Sequence, residues 1–101
     1  MMKTTFSEQD NNFVMAFEGR LDTSASTQTA REVKVLNDCS GHDIILDCTL
    51  LEYISSSGLR IFLGVLKNAK AQGSKVFIKG LNDDLKRVFD EIGFTNIFQF
   101  I

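Results

Sequence analysis

Ser55-Ser56-Ser57 followed by Gly58, with Tyr53-Ile54 before it and Leu59-Arg60 after it, is the stretch of this sequence best equipped for chemistry. Consecutive serines and a glycine are poor residues for a helix interior and good ones for its start, because a hydroxyl oxygen can accept the unpaired N–H groups of the first turn. Capping needs only one of the hydroxyls, so two are surplus. A helix N-terminus carries roughly +0.5 elementary charge and free backbone donors, which stabilise an anion such as a phosphoryl group attached to a serine. The cluster therefore suits a phosphorylation switch. A serine-nucleophile hydrolase fits poorly: no Gly-x-Ser-x-Gly elbow is present, and His42 is the one histidine available as a base. A nucleotide site would have the helix donors but neither a glycine-rich phosphate loop nor its lysine. The residues suggest no catalytic set, no metal site and no cofactor.

The elements around the cluster must be strong enough to hold it. At 101 residues, with 44% hydrophobic and 24% charged residues and nine Phe, the chain has material for a single core and the size of one domain, taken as residues 1–101. A formal net charge of −2 supplies no basic footprint for nucleic acid. No stretch is apolar for long enough to be a signal segment or a membrane span, and the chain reads as cytoplasmic. Cys39 and Cys48, with His42 alone as a nitrogen ligand, do not make a zinc set; Cys48 is expected in the core and Cys39 as a free surface thiol.

Thr4–Ser7 and Asn12–Phe17 flank the polar turn formers Glu8-Gln9-Asp10-Asn11, which predicts an N-terminal β-hairpin with Phe13, Met15 and Phe17 facing inward. Glu18-Gly19-Arg20-Leu21-Asp22 is expected to break or end that strand. Asp22, Thr23, Ser24 or Ser26 can then cap a helix reaching about Asn37, with Ala30, Val33 and Leu36 toward the sheet. Ile44-Ile45-Leu46-Asp47-Cys48 is a nearly continuous apolar run, as in a central strand. After the serines, Leu59, Phe62, Leu63, Leu66 and Ala69 share one helical face, and Arg60, Gly64 and Lys67 another. Gln72-Gly73-Ser74 stops this helix and Lys75–Ile78 forms a strand. Asn82 caps a last helix with Leu85, Val88, Phe89 and Ile92 on its apolar side, Gly93 ends it, and Ile97–Ile101 reads as an edge strand or an apolar tail. Strands alternating with helices give the α/β class: a mixed sheet with an antiparallel hairpin at its start, parallel core strands joined by right-handed crossovers, and packed α-helices.

The succession Gly19-Arg20-Leu21-Asp22, Ile44–Asp47, Tyr53–Leu59, Gly73–Val76 and Val88–Phe94 resembles the STAS domain family along nearly the whole chain. It is most similar to the bacterial anti-sigma factor antagonists, also called anti-anti-sigma factors. The resemblance implies a non-enzymatic regulator of transcription that binds an anti-sigma factor, often a serine kinase, and so frees a sigma factor. It also implies a phosphoprotein, switched off by serine phosphorylation and restored by a serine phosphatase. By similarity the acceptor is the serine two positions before the glycine, Ser56, with Ser57 as the neighbouring candidate. The partner surface implied comprises Asp22, Ser55, Ser56, Ser57, Gly58, Leu59, Arg60 and Ile61. The family often has Asp immediately before the acceptor where this chain has Ser55; Ser and Asp are comparable caps, but a negative charge is lost. That difference leaves room for a STAS interaction module without phosphorylation, serving a larger regulatory assembly or a lipid-transport complex.

Several residues carry a plain structural reading beside the functional one. Asp22 suits a helix cap as well as a place near the switch. Ile61 and Val65 would either be buried or form an apolar patch beside the serines. Asp47 fits a turn hydrogen bond closing its strand, and His42 a loop surface.

Overall fold

The computed structural model describes residues 2–101. Strand β1 (Met2–Gln9) turns through Asp10 and Asn11 into β2 (Asn12–Leu21). Both turn residues have positive φ, 51° and 67°, the conformation a two-residue hairpin turn demands and which Asp and Asn tolerate. Helix α1 (Thr23–Glu32), strand β3 (Ile44–Ile54), helix α2 (Ser56–Ala71), strand β4 (Val76–Lys79), helix α3 (Asp83–Glu91) and strand β5 (Gln99–Phe100) follow. The sheet order is β1-β2-β3-β4-β5, antiparallel only between β1 and β2 and parallel from β2 onward. The expected mixed sheet with a central Ile44 strand is therefore what forms, and the C-terminal segment is its edge.

All the helices lie on one side of this sheet. Thr4 pairs with Phe17 across the hairpin, and its hydroxyl donates to Glu32 of α1 at 2.9 Å. Phe17 meets Phe62 of α2 with ring centroids 5.1 Å apart, and Phe62 meets Phe89 of α3 at 6.2 Å. Phe89 in turn touches Phe94, Phe98 and Phe100. Most of the phenylalanines thus form one aromatic chain between the sheet and its helices, edge-on or tilted as ring quadrupoles favour. Met15, Ile44, Leu46, Cys48, Val76 and Ile78 complete the buried layer. Phe13 is only half-buried, stacked on His42 at 4.2 Å. His42 lies in the loop before β3, as expected, and packs against the hairpin there, its Nδ1 2.8 Å from the Asn11 carbonyl.

The structure departs from the sequence reading in instructive places. Strand β2 is broken within Glu18–Asp22, as expected, and still ends only at Leu21. Its register against β3 shifts between Ala16 and Glu18 and again between Gly19 and Arg20, and Gly19, at φ 101°, absorbs the second irregularity so that pairing resumes to Leu21. The first helix is α-helical only to Glu32; Val33–Leu36 tightens into a 3-10 turn. Strand β3 runs past Cys48 to Ile54, so Tyr53 and Ile54 belong to it. Asp47 accordingly sits within the strand, where its Oδ1 accepts from the Thr49 amide and hydroxyl. Cys39 is not a surface thiol but fully buried. Its loop is folded onto the end of α2: the Cys39 amide donates to Gln72 and its carbonyl accepts from the Ser74 hydroxyl. Ile92 is 47% exposed because α3 ends at Glu91, before its apolar line reaches that residue.

Candidate functional site

The serines begin α2, and Ser55 takes the cap. Its backbone is extended (φ −86°, ψ 171°), and its Oγ accepts from the Gly58 amide at 3.2 Å. Its own amide donates to the Leu21 carbonyl at 2.8 Å, which stitches the exit of β3 to the exit of β2. Helix α1 starts on the other side of that stitch, with Asp22 as its cap: Asp22 Oδ1 accepts from the Ala25 amide and from the Ser24 hydroxyl, each at 2.9 Å. These bonds, the Ala25 amide foremost, hold the Asp22 carboxyl below its ordinary pKa. Two parallel crossovers thus deliver two helix N-termini side by side at one end of the sheet, beyond the C-termini of β2 and β3.

Glycine 58 sets how closely α2 approaches. A Cβ there would fall 2.8 Å from both Ile54 Cγ1 and Leu21 Cγ, so only glycine lets the first turn rest on the ends of β2 and β3. Gly58 and Ser55 are buried, Ser57, Leu59 and Ile61 half-buried, and Ser56 and Arg60 exposed. The apolar face of α2 is centred on Phe62, Val65, Leu66 and Ala69, with Leu59 and Leu63 at its margin. Val65 is therefore core, reaching solvent only at the wall of a groove it shares with Ile61. This groove, of about 300 Å³, lies between the first two helices and is shared with Ala30, Val33, Lys34 and Gly64.

The hydroxyls have unequal freedom. Ser57 Oγ lies 2.9 Å from Ser55 Oγ and 2.7 Å from the Oγ of Ser26 in α1. Ser26 Oγ donates to the Asp22 carbonyl at 2.9 Å. Ser56, in the first helical position, points outward and bonds to no side chain among the described residues. It combines an accessible hydroxyl with the positive end of a sixteen-residue helix. The Asp22 carboxylate is turned to its own helix; its link to the serines runs through its carbonyl and Ser26. Ser26 was visible in the sequence only as a possible cap, since nothing local to Ser24–Thr27 announces a partner more than thirty residues away. At the same end of the sheet, the Arg20 guanidinium carbon stands 4.4 Å above the ring of Tyr53, an exposed cation–π pair with no sequence signature.

Among the described residues, no helix is long and apolar enough to cross a membrane. The anti-sigma-B factor antagonist of Bacillus subtilis (strain 168) is 29% identical to this chain over 90 residues, covering 89% of this chain and 82% of the relative. Among solved structures, an anti-sigma-factor antagonist (STAS) domain protein from Planctomyces limnophilus superposes with a TM-score of 0.89 at 13% identity, covering all of this chain and 90% of that one. The Bacillus cell fate determinant SpoIIAA in its phosphorylated form superposes with a TM-score of 0.72 at 18% identity, over all of this chain and 91% of that one. At these identities the superpositions speak for the fold. The sequence pattern of the STAS domain itself spans residues 3–101, and the chain belongs to the STAS domain family.

Proposed function

We propose that this chain is an anti-sigma factor antagonist: a cytoplasmic binding protein, not an enzyme, that engages an anti-sigma factor and is switched by phosphorylation of Ser56. The observation that carries the proposal is the free, exposed Ser56 hydroxyl at the start of α2, beside a Ser57 hydroxyl bonded on both sides. The B. subtilis relative named above bears the same function in its name, and SpoIIAA, which shares the fold, exists in a phosphorylated form. The partner surface would be centred on Ser56 and Arg60, with Asp22, Ser57, Leu59 and Ile61 around them. Ser55 and Gly58 contribute from beneath by fixing the helix start. A phosphate on Ser56 adds about −1.5 to −2 charge and three acceptor oxygens, compatible with the helix terminus and hostile to an acidic partner surface. The switch would act on the interface and leave the fold in place, and a serine phosphatase would reset it.

The test is reconstitution with the anti-sigma factor encoded in the same genome, with ATP and with its sigma factor. The unmodified chain should displace the sigma factor, and Ser56→Asp should lose at least tenfold in affinity. Phosphate incorporation should vanish in Ser56→Ala; full incorporation in that variant would refute the assignment. One observation favours a second reading, a STAS module without phosphorylation in a larger assembly or a lipid-transport complex: Ser55 stands where the family often keeps a carboxylate. Partner capture indifferent to Ser56→Asp would support it.

A further inference from the structure

Only one order of hydroxyl protons satisfies every contact of the serine cluster at once. Ser26 carries a single hydroxyl proton and donates it to the Asp22 carbonyl at 2.9 Å, a group that can only accept. In its 2.7 Å contact with Ser57, Ser26 must therefore accept, and Ser57 donates. With its proton committed, Ser57 accepts from Ser55 at 2.9 Å, and Ser55 accepts from the Gly58 amide at 3.2 Å. The chain runs one way, Ser55 to Ser57 to Ser26 to the Asp22 carbonyl, and joins the two helix starts.

We infer that Ser26 is a positioning residue that decides which serine takes the phosphate: it holds Ser57 Oγ as a committed donor between two helices and leaves Ser56 as the acceptor. The inference rests on the proposed phosphorylation of this cluster. In that reaction a new bond forms between the serine Oγ and the γ-phosphorus of a nucleoside triphosphate. The bridging bond to the β-phosphate breaks, the nucleoside diphosphate leaves with the electron pair, and the Oγ proton passes to a base of the kinase. Ser56 can present its oxygen outward and surrender its proton. Ser57 would have to break the bond to Ser26, and oxygens at 2.7 and 2.9 Å leave no room for a phosphoryl group.

The experiment encodes phosphoserine at position 56 or at position 57, in the natural sequence and in Ser26→Ala, and measures thermal unfolding. Phosphate at 56 should leave the melting temperature within roughly 3 °C of the unmodified chain. Phosphate at 57 should lower it by roughly 8 °C, as expected for two lost hydrogen bonds in a domain this small. In Ser26→Ala the penalty at 57 should fall by at least half. Equal melting temperatures for the two phosphorylated forms, or a penalty unchanged by Ser26→Ala, would overturn the inference. A readout that mere destabilisation would not move is the location of phosphate, by mass spectrometry, on chains recovered from the native cell. Ser26→Ala should spread it from Ser56 to Ser57; phosphate confined to Ser56 in that variant would refute the positioning role. Chains recovered without phosphate at either serine would instead refute the phosphorylation reading itself, which the melting comparison does not depend on.

Discussion

The same substitution made twice in α2 should have opposite signs. Gly58→Ala places a methyl group 2.8 Å from Ile54 Cγ1, 2.8 Å from Leu21 Cγ and 3.0 Å from Leu21 Cδ2. Leu21 is fully buried and Ile54 is 5% exposed, and the isoleucine is stiff at χ1, so neither can swing aside. Overpacking of this kind costs about 1–3 kcal/mol. Against it stands the gain from replacing a helical glycine, at most about 1 kcal/mol and smaller in a first turn. The clash wins, and Gly58→Ala should lose about 1–2 kcal/mol. Gly64→Ala meets nothing within 4 Å, so only the propensity remains and the variant should gain ~0.5–1 kcal/mol. Urea unfolding followed by far-UV circular dichroism reads both. With an m-value of order 1–2 kcal/mol/M, the two midpoints should bracket the parent and lie roughly 1–2 M apart. Midpoints shifted in the same direction, or Gly58→Ala unchanged, would refute the argument that α2 is seated by a missing side chain.

Other outcomes follow from the caps and the cluster. Ser55→Ala removes the oxygen that accepts from the Gly58 amide and should cost about 1 kcal/mol in the same urea assay. Ser56→Ala removes an exposed hydroxyl without a side-chain partner and should leave stability within about 0.5 kcal/mol while abolishing phosphorylation. Because the Asp22 pKa is lowered in the fold, this residue's contribution is present above the unfolded-state pKa and is lost as pH falls through the folded one. Asn caps as well as Asp, so Asp22→Asn should match the parent at neutral pH and unfold less steeply on acidification; an unchanged acid limb would dismiss Asp22 as a contributor.

Sequence patterns carried the fold wherever a rule is local. The N-terminal hairpin, a helix cap among Asp22–Ser26, the Asn82 cap, the burial of Met15 and Phe17 and the apolar run from Ile44 all sat where elementary propensities put them, although the turn uses only Asp10 and Asn11 of the four polar residues from Glu8 and Phe13 is only half-buried. What escaped depends on distant partners. Glu18–Asp22 was legible as a break or an end of the strand, but that it is both, a bulge at Gly19 and then an end at Leu21, shows only in the pairing with β3. Cys39 sat among polar neighbours and was buried by contacts with Gln72 and Ser74, thirty-three and thirty-five residues away. At the site, the cluster itself and its capping role were legible. The inequality among its hydroxyls was not, because it is imposed by Ser26 from another helix.

The buried cysteines give the protein a pair of internal clocks. Thiol reagents attack the thiolate, and neither sulfur is accessible in the closed structure; at Cys48 burial, with the Asp47 charge beside it, also raises the pKa. Labelling must wait for an opening, and the openings differ. Cys48 lies on the central strand in the layer beneath the helices, so its exposure requires the helices to lift from the sheet and its labelling reports loss of the core. Cys39 is held by its loop against the end of α2, so release of that loop alone exposes it. The ratio of the two labelling rates therefore measures how independently one corner of the domain can open while the rest stays folded.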